Sequence, residues 1–188
     1  MRWLTLYARS RQVPVSAAAI ALVTAALWAL DGPEHAEVGT AILVLTTTVA
    51  AASVGLGGRD VTLERTAAIR WAPRRAAHVL LIGLLTGAAL LAVQAAGTQL
   101  APTAVVVRAA AGLTGLAALG AVLCGAHFAW TLPVGWLAFT LLTPSPRGTA
   151  GEVLHWMTFP PDTPASTATA LTLLALGTTL YAATGPRE

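Results

Sequence analysis

Long apolar runs alternate with short polar breaks along this chain, and the breaks are too few for a soluble fold. Val13 to Leu30 carries no charge, and neither does Val38 to Gly57. After one long polar interruption the apolar pattern resumes over 79–96, over 101–143 and over 165–184. A spanning helix needs roughly 20 apolar residues. The 101–143 stretch is too long for one crossing at about 1.5 Å per residue, so it predicts two spans, with the break at Cys124-Gly125-Ala126-His127. The expected architecture is all-α: a polytopic membrane protein with six transmembrane helices at 13–30, 38–57, 79–96, 101–123, 127–143 and 165–184. It forms a single transmembrane domain over 1–188.

The connections add detail. Residues 1–12 combine Trp3, Leu4, Leu6 and Tyr7 with Arg2, Arg9 and Arg11, a composition that suits an amphipathic helix at the membrane surface. The first span meets Asp31-Gly32-Pro33, a turn signal in an acidic loop. In the polar interruption, 58–78, Asp60 can cap a short helix and Pro73 disfavours helix in the residue before it, so a helix from Asp60 to about Ala72 is expected. Leu63, Ala67 and Trp71 fall on one of its faces. Residues 144–164 hold five prolines, and Trp156, Met157 and Phe159 suggest that part of this segment dips into the membrane interface as a re-entrant or surface element.

Composition agrees with this reading. Only 10% of the 188 residues are charged, against about 25% in a typical soluble domain. All eleven basic residues are arginine, and Arg59, Arg65, Arg70, Arg74 and Arg75 crowd the 58–78 loop. Short arginine-rich loops stay on the cytoplasmic side. Placing both termini inside leaves only Arg108 and Arg147 away from the cytoplasm, so the sequence predicts a multi-pass protein of the cell membrane with both ends cytoplasmic. The net charge of +3 comes from these flanks and gives no reason to expect nucleic acid.

Candidate chemistry is sparse. Arg108 falls about six residues inside the fourth expected span, where an intramembrane charge is a functional candidate. The competing expectation is that it snorkels to the outer headgroups. Cys124 and His127 make a CxxH pair, but two ligands do not make a zinc site. On the expected topology no histidine pair faces another in mid-membrane as a haem would need. The spans hold no acids, and Ser16, Ser53 and Ser166 lack the setting of a nucleophile. No phosphate-binding GxxxxGK[ST] loop is present. We therefore expect no catalytic residues, no metal and no cofactor. Gly83-xxx-Gly87 and Gly112-xx-Gly115 are either close-packing sites or products of composition.

The layout resembles the transmembrane subunit of an ATP-binding-cassette exporter of the type-two permease kind. The elements that carry the likeness are the surface N-terminal helix, the charged helix after the second span with its LERTAAIRW sequence, and GEVLHWMTFPPD before the last span. The resemblance implies that Arg2 to Arg11 form a connecting helix and that Asp60 to Trp71 form a coupling helix docking on a separate ATPase. Asp60, Glu64, Arg65, Arg70 and Trp71 would contact that ATPase, and a second permease subunit, identical or related, would complete the complex in the lipid bilayer. Two alternatives stand beside it: the six-span substrate-binding subunit of an energy-coupling-factor importer, and a non-transporting membrane scaffold or immunity protein.

Overall fold

The computed structural model describes residues 38–57, 71–97 and 99–187. The expected amphipathic helix at 1–12, the first span at 13–30 and most of the coupling helix lie outside these residues. Six α-helices are present among those described: α1 (Val38–Ser53), α2 (Trp71–Ala95), α3 (Thr103–Leu123), α4 (Thr131–Leu142), α5 (Thr149–Leu154) and α6 (Pro164–Thr184). Short 3-10 turns follow α1 at Val54–Leu56 and precede α4 at Ala126–Phe128. No strand occurs among the described residues. Four segments, Val38–Leu56, Trp71–Ala95, Thr103–Leu123 and Pro164–Thr184, are long and apolar enough to cross a membrane, which makes this a multi-pass membrane protein.

Helix α3 is the centre of the bundle. Buried residues make up 78% of its apolar window, against 28% in α2 and 17% in α6, so the other helices surround it and turn their remaining faces outward. Val106, Ala109, Leu113, Ala118 and Ala121 on α3 are fully enclosed. The exposed leucines Leu84, Leu85, Leu142 and Leu171 belong to the peripheral helices, as expected where the solvent is lipid. Threonine hydroxyls inside the helices donate back to carbonyls three or four residues earlier, as Thr48 does to Leu45 and Thr114 to Ala110. These polar groups are thereby satisfied within their own helix.

Small residues set the spacing. A side chain at Gly115 would collide with the backbone of Leu173 and Leu174, and one at Gly177 with the backbone of Gly115, so α3 and α6 touch backbone to backbone at their crossing. The two helices run parallel: Arg108 of α3 bonds to the segment leading into α6, while the Arg187 amide beyond α6 donates to Ala121 near the end of α3 at 3.0 Å. Helix α2 runs antiparallel to α3, with Gly83 against Thr114 and Gly87 against Ala110. Of the two readings of these glycines, close packing is the one observed. Dispersion over such short separations is the main packing force between helices in lipid.

Two elements depart from the sequence expectation. Helix α2 begins at Trp71, not at Val79, and runs straight through Pro73. Pro73 lies within the described helix, so it does not end a helix at Ala72. The residues expected as a fifth span over 127–143 form a 3-10 turn and then a helix of 12 residues. At about 1.5 Å per residue that helix covers about 18 Å, short of a roughly 30 Å hydrocarbon core. The break itself falls at Cys124 to His127, where Gly125 adopts φ +95°, and the carbonyl of Ala129 lies so close to Gly120 that no side chain fits there.

The backbone contact at Gly115 gives a test. Gly115→Ala places a methyl group against main-chain atoms that cannot rotate away, and overpacking of this kind costs about 1–3 kcal/mol. Gly135→Ala, with nothing within 4 Å of the added carbon, should leave stability unchanged or raise it slightly. Thermal unfolding of the two variants in detergent micelles separates them.

Candidate functional site

The most elaborated polar region lies between α4 and α6. Thr143 is extended, and Pro144, Pro146, Pro160, Pro161 and Pro164 keep the following twenty residues from forming a long helix. What forms is the six-residue helix α5, then a turn over 155–158, a bend at Phe159 and a second turn over 161–162 that leads to Pro164 at the first turn of α6. This strap is not a surface loop. His155, Trp156, Met157 and Ser166 are buried, and Trp156 and Met157 have no exposed area. The Trp156 ring lies against Gly112, nine positions after the first residue of α3, and that glycine is what makes room for it.

A backbone that proline keeps out of a helix has carbonyls with no internal donor, and burial makes each one costly unless something else bonds it. Side chains from three different helices supply the donors. Arg108 of α3 donates Nη1 to the Pro160 carbonyl at 2.9 Å and Nη2 to the Phe159 carbonyl. Trp136 of α4 donates Nε1 to the Leu154 carbonyl at 3.0 Å. Ser166 of α6 donates its hydroxyl to the Glu152 carbonyl at 2.8 Å. Within the strap, the Gly151 and Glu152 amides share the Gly148 carbonyl, and the His155 amide bonds to Gly151. Phe139 of α4 packs on the His155 ring with centroids 5.8 Å apart.

Arg108 is only 5% exposed, so it points into the bundle and does not reach for headgroups as snorkelling would require. The planar fork of its guanidinium suits two neighbouring carbonyls in a way that a lysine could not match. Its Nε, together with Nε2 of His155 and Nε1 of Trp156, is buried without a hydrogen-bond partner among the described residues. These groups can fix and orient backbone. No group of three His, Cys, Asp or Glu side chains among the described residues could hold a metal.

At the opposite end of the bundle the Tyr181 hydroxyl donates to the Leu56 carbonyl at 2.6 Å, tying the end of α6 to the end of α1. Trp71 is the first residue of α2, and the Arg74 guanidinium sits 5.7 Å from its ring centroid. The other expected ATPase contacts, Asp60, Glu64, Arg65 and Arg70, lie outside the described residues. Cys124 is exposed and His127 follows it on the 3-10 turn, with no third ligand joining them among the described residues. Sequence reasoning missed Trp136 and Ser166 as strap donors. The signal was present in the proline density of 144–164, which announces free carbonyls in need of partners.

Replacing Arg108 with methionine keeps an unbranched, shorter side chain and removes the guanidinium donor from the Phe159 and Pro160 carbonyls, of which Pro160 keeps only the Thr163 amide at 3.3 Å. Hydrogen bonds to charged groups contribute about 1.5–3 kcal/mol each, so the variant should melt earlier than the parent. In a Cys124→Ala, Met157→Cys background, it should also raise labelling by a membrane-impermeant maleimide at least several-fold, while Arg108→Lys restores only part of the protection. Equal labelling with and without Arg108 would remove its role in holding the strap.

No protein-family model, curated protein or solved structure matches this chain.

Proposed function

We propose that the chain is the membrane-spanning permease subunit of a transporter driven by a separate ATPase, working as an exporter and paired with a second permease subunit. Both termini and the 58–78 loop face the cytoplasm in this reading, because that side collects the arginines. The observation that carries the proposal is the continuity of α2. The described helix starts at Trp71, within the cationic 58–78 segment, and runs unbroken for 25 residues to Ala95, about 37 Å at about 1.5 Å per residue.

A motor gripping the Asp60 to Trp71 segment would have a rigid lever to move. No flexible joint separates Trp71 from the part of α2 that packs on α3, so displacement at the loop is passed to the bundle as a tilt. The contacts of Gly83 and Gly87 with Thr114 and Ala110 present little side-chain relief, which lets one helix slide on the other as packed helices do in shear motions. The strap ties α3, α4 and α6 together at the end away from the 58–78 loop, so the tilt of α2 occurs against a fixed frame. ATP binding and hydrolysis belong to the partner, since this chain has no phosphate loop.

Reversing the charges of Glu64, Arg65 and Arg70 together should abolish co-purification with the ATPase while leaving the chain folded, as judged by its melting temperature. Unchanged recovery of the ATPase with the triple variant would contradict the proposal.

A further inference from the structure

A furrow of about 290 Å³ runs along the outside of the bundle between α2 and α6, with α3 as its floor. Leu80, Leu84 and Leu91 form one wall, Leu174 stands on the other, and Ala110 and Ala111 line the bottom. It is open to the surroundings: Leu80, Leu84 and Val107 are about half exposed or more. Its length follows from α2. Leu80 to Leu91 is a rise of about 16 Å, close to the thickness of one leaflet of a roughly 30 Å hydrocarbon core. The furrow therefore has the length of one acyl chain lying along the helices.

Cations stand at one mouth. Arg74 lies six residues before Leu80 on the same helix, about 9 Å along the axis, and it is exposed. The tail after α6 returns to the same place. The Arg75 guanidinium lies over Gly185, and the exposed Arg187 sets its amide on the Ala121 carbonyl at the end of α3. Among the described residues the acids, Glu152 and Asp162, belong to the strap at the other end, so the described charges at this mouth are all cationic and suit an anion. Arginine is the side chain suited to phosphate oxygens at this level.

We propose that this furrow is a binding site for one anionic phospholipid, with an acyl chain between α2 and α6 and the headgroup phosphate held by Arg74 and Arg187. The apolar furrow and the cationic mouth are separate observations that meet at one end of the molecule, and a lipid is the ligand that has both parts in that order. The site does not depend on the chain being a permease.

The test is native mass spectrometry of the full-length protein released from detergent after incubation with phosphatidylglycerol or phosphatidylcholine. The parent should retain one phosphatidylglycerol with about tenfold preference over phosphatidylcholine, the size expected of two cations each contributing a few-fold at an anionic headgroup. Arg74→Ala with Arg187→Ala should reduce that preference at least fivefold. Arg147→Ala, at the strap end, should leave it intact. Ala88→Trp, at an exposed position lining the furrow, should lose both lipids while the protein keeps its melting temperature. Equal retention of the two lipids by the parent, an unchanged preference in the double variant, or lipid retention unaffected by Ala88→Trp would each overturn the assignment. So would a parent that binds no lipid and is a dimer broken by Ala88→Trp, since a second copy would then fill the furrow.

Discussion

A peptide carbonyl removed from water must be bonded by something, and in this bundle that requirement is hardest to meet where proline has stopped the helix. The strap between α4 and α6 carries its unmet carbonyls into the interior, and Arg108, Trp136 and Ser166 reach in from α3, α4 and α6 to bond them. The strap thus acts as a common acceptor that fixes three helices relative to one another at that end. Removing one donor leaves a part-buried acceptor with fewer partners, which costs stability.

The opposite end is built on a different principle. There the chain returns to α3 through main-chain and tail contacts, with the Arg187 amide on Ala121 and the Tyr181 hydroxyl on Leu56. Between the two ends, backbone-to-backbone approach at Gly115 and Gly177 lets α6 lie directly on α3. Such contacts are close but carry few interlocking side chains. The bundle is therefore pinned by directed hydrogen bonds at its ends and joined by smooth surfaces in its middle, an arrangement compatible with tilting of α2 as one rod.

Much of the helical layout was readable from hydropathy, because lipid exposure leaves long apolar runs no alternative to helix. The turn near 97–102 and the break at 124–127 were readable from glycine and proline. Pro73 misled because it was read as a helix stop, whereas the helix continues through it. Hydropathy also could not show that α4 is short, since a 12-residue helix preceded by a 3-10 turn has the same composition as a longer one. Arg108 was visible as an anomaly, but its partners lie about fifty residues away and are carbonyls, which every residue has. No side-chain pattern in the sequence could have named them. Ser166 was considered only as a nucleophile, and its hydroxyl is a structural donor here.

The central claim is that the strap is a fixed part of the bundle, held by side chains of three helices. Amide hydrogen exchange of the protein in lipid nanodiscs addresses it most directly. The amides of Gly151, Glu152, His155 and Thr158 all donate to strap carbonyls, so peptides covering 149–160 should exchange as slowly as those from α3. Exchange within seconds, as in an exposed proline-rich loop, would contradict the account.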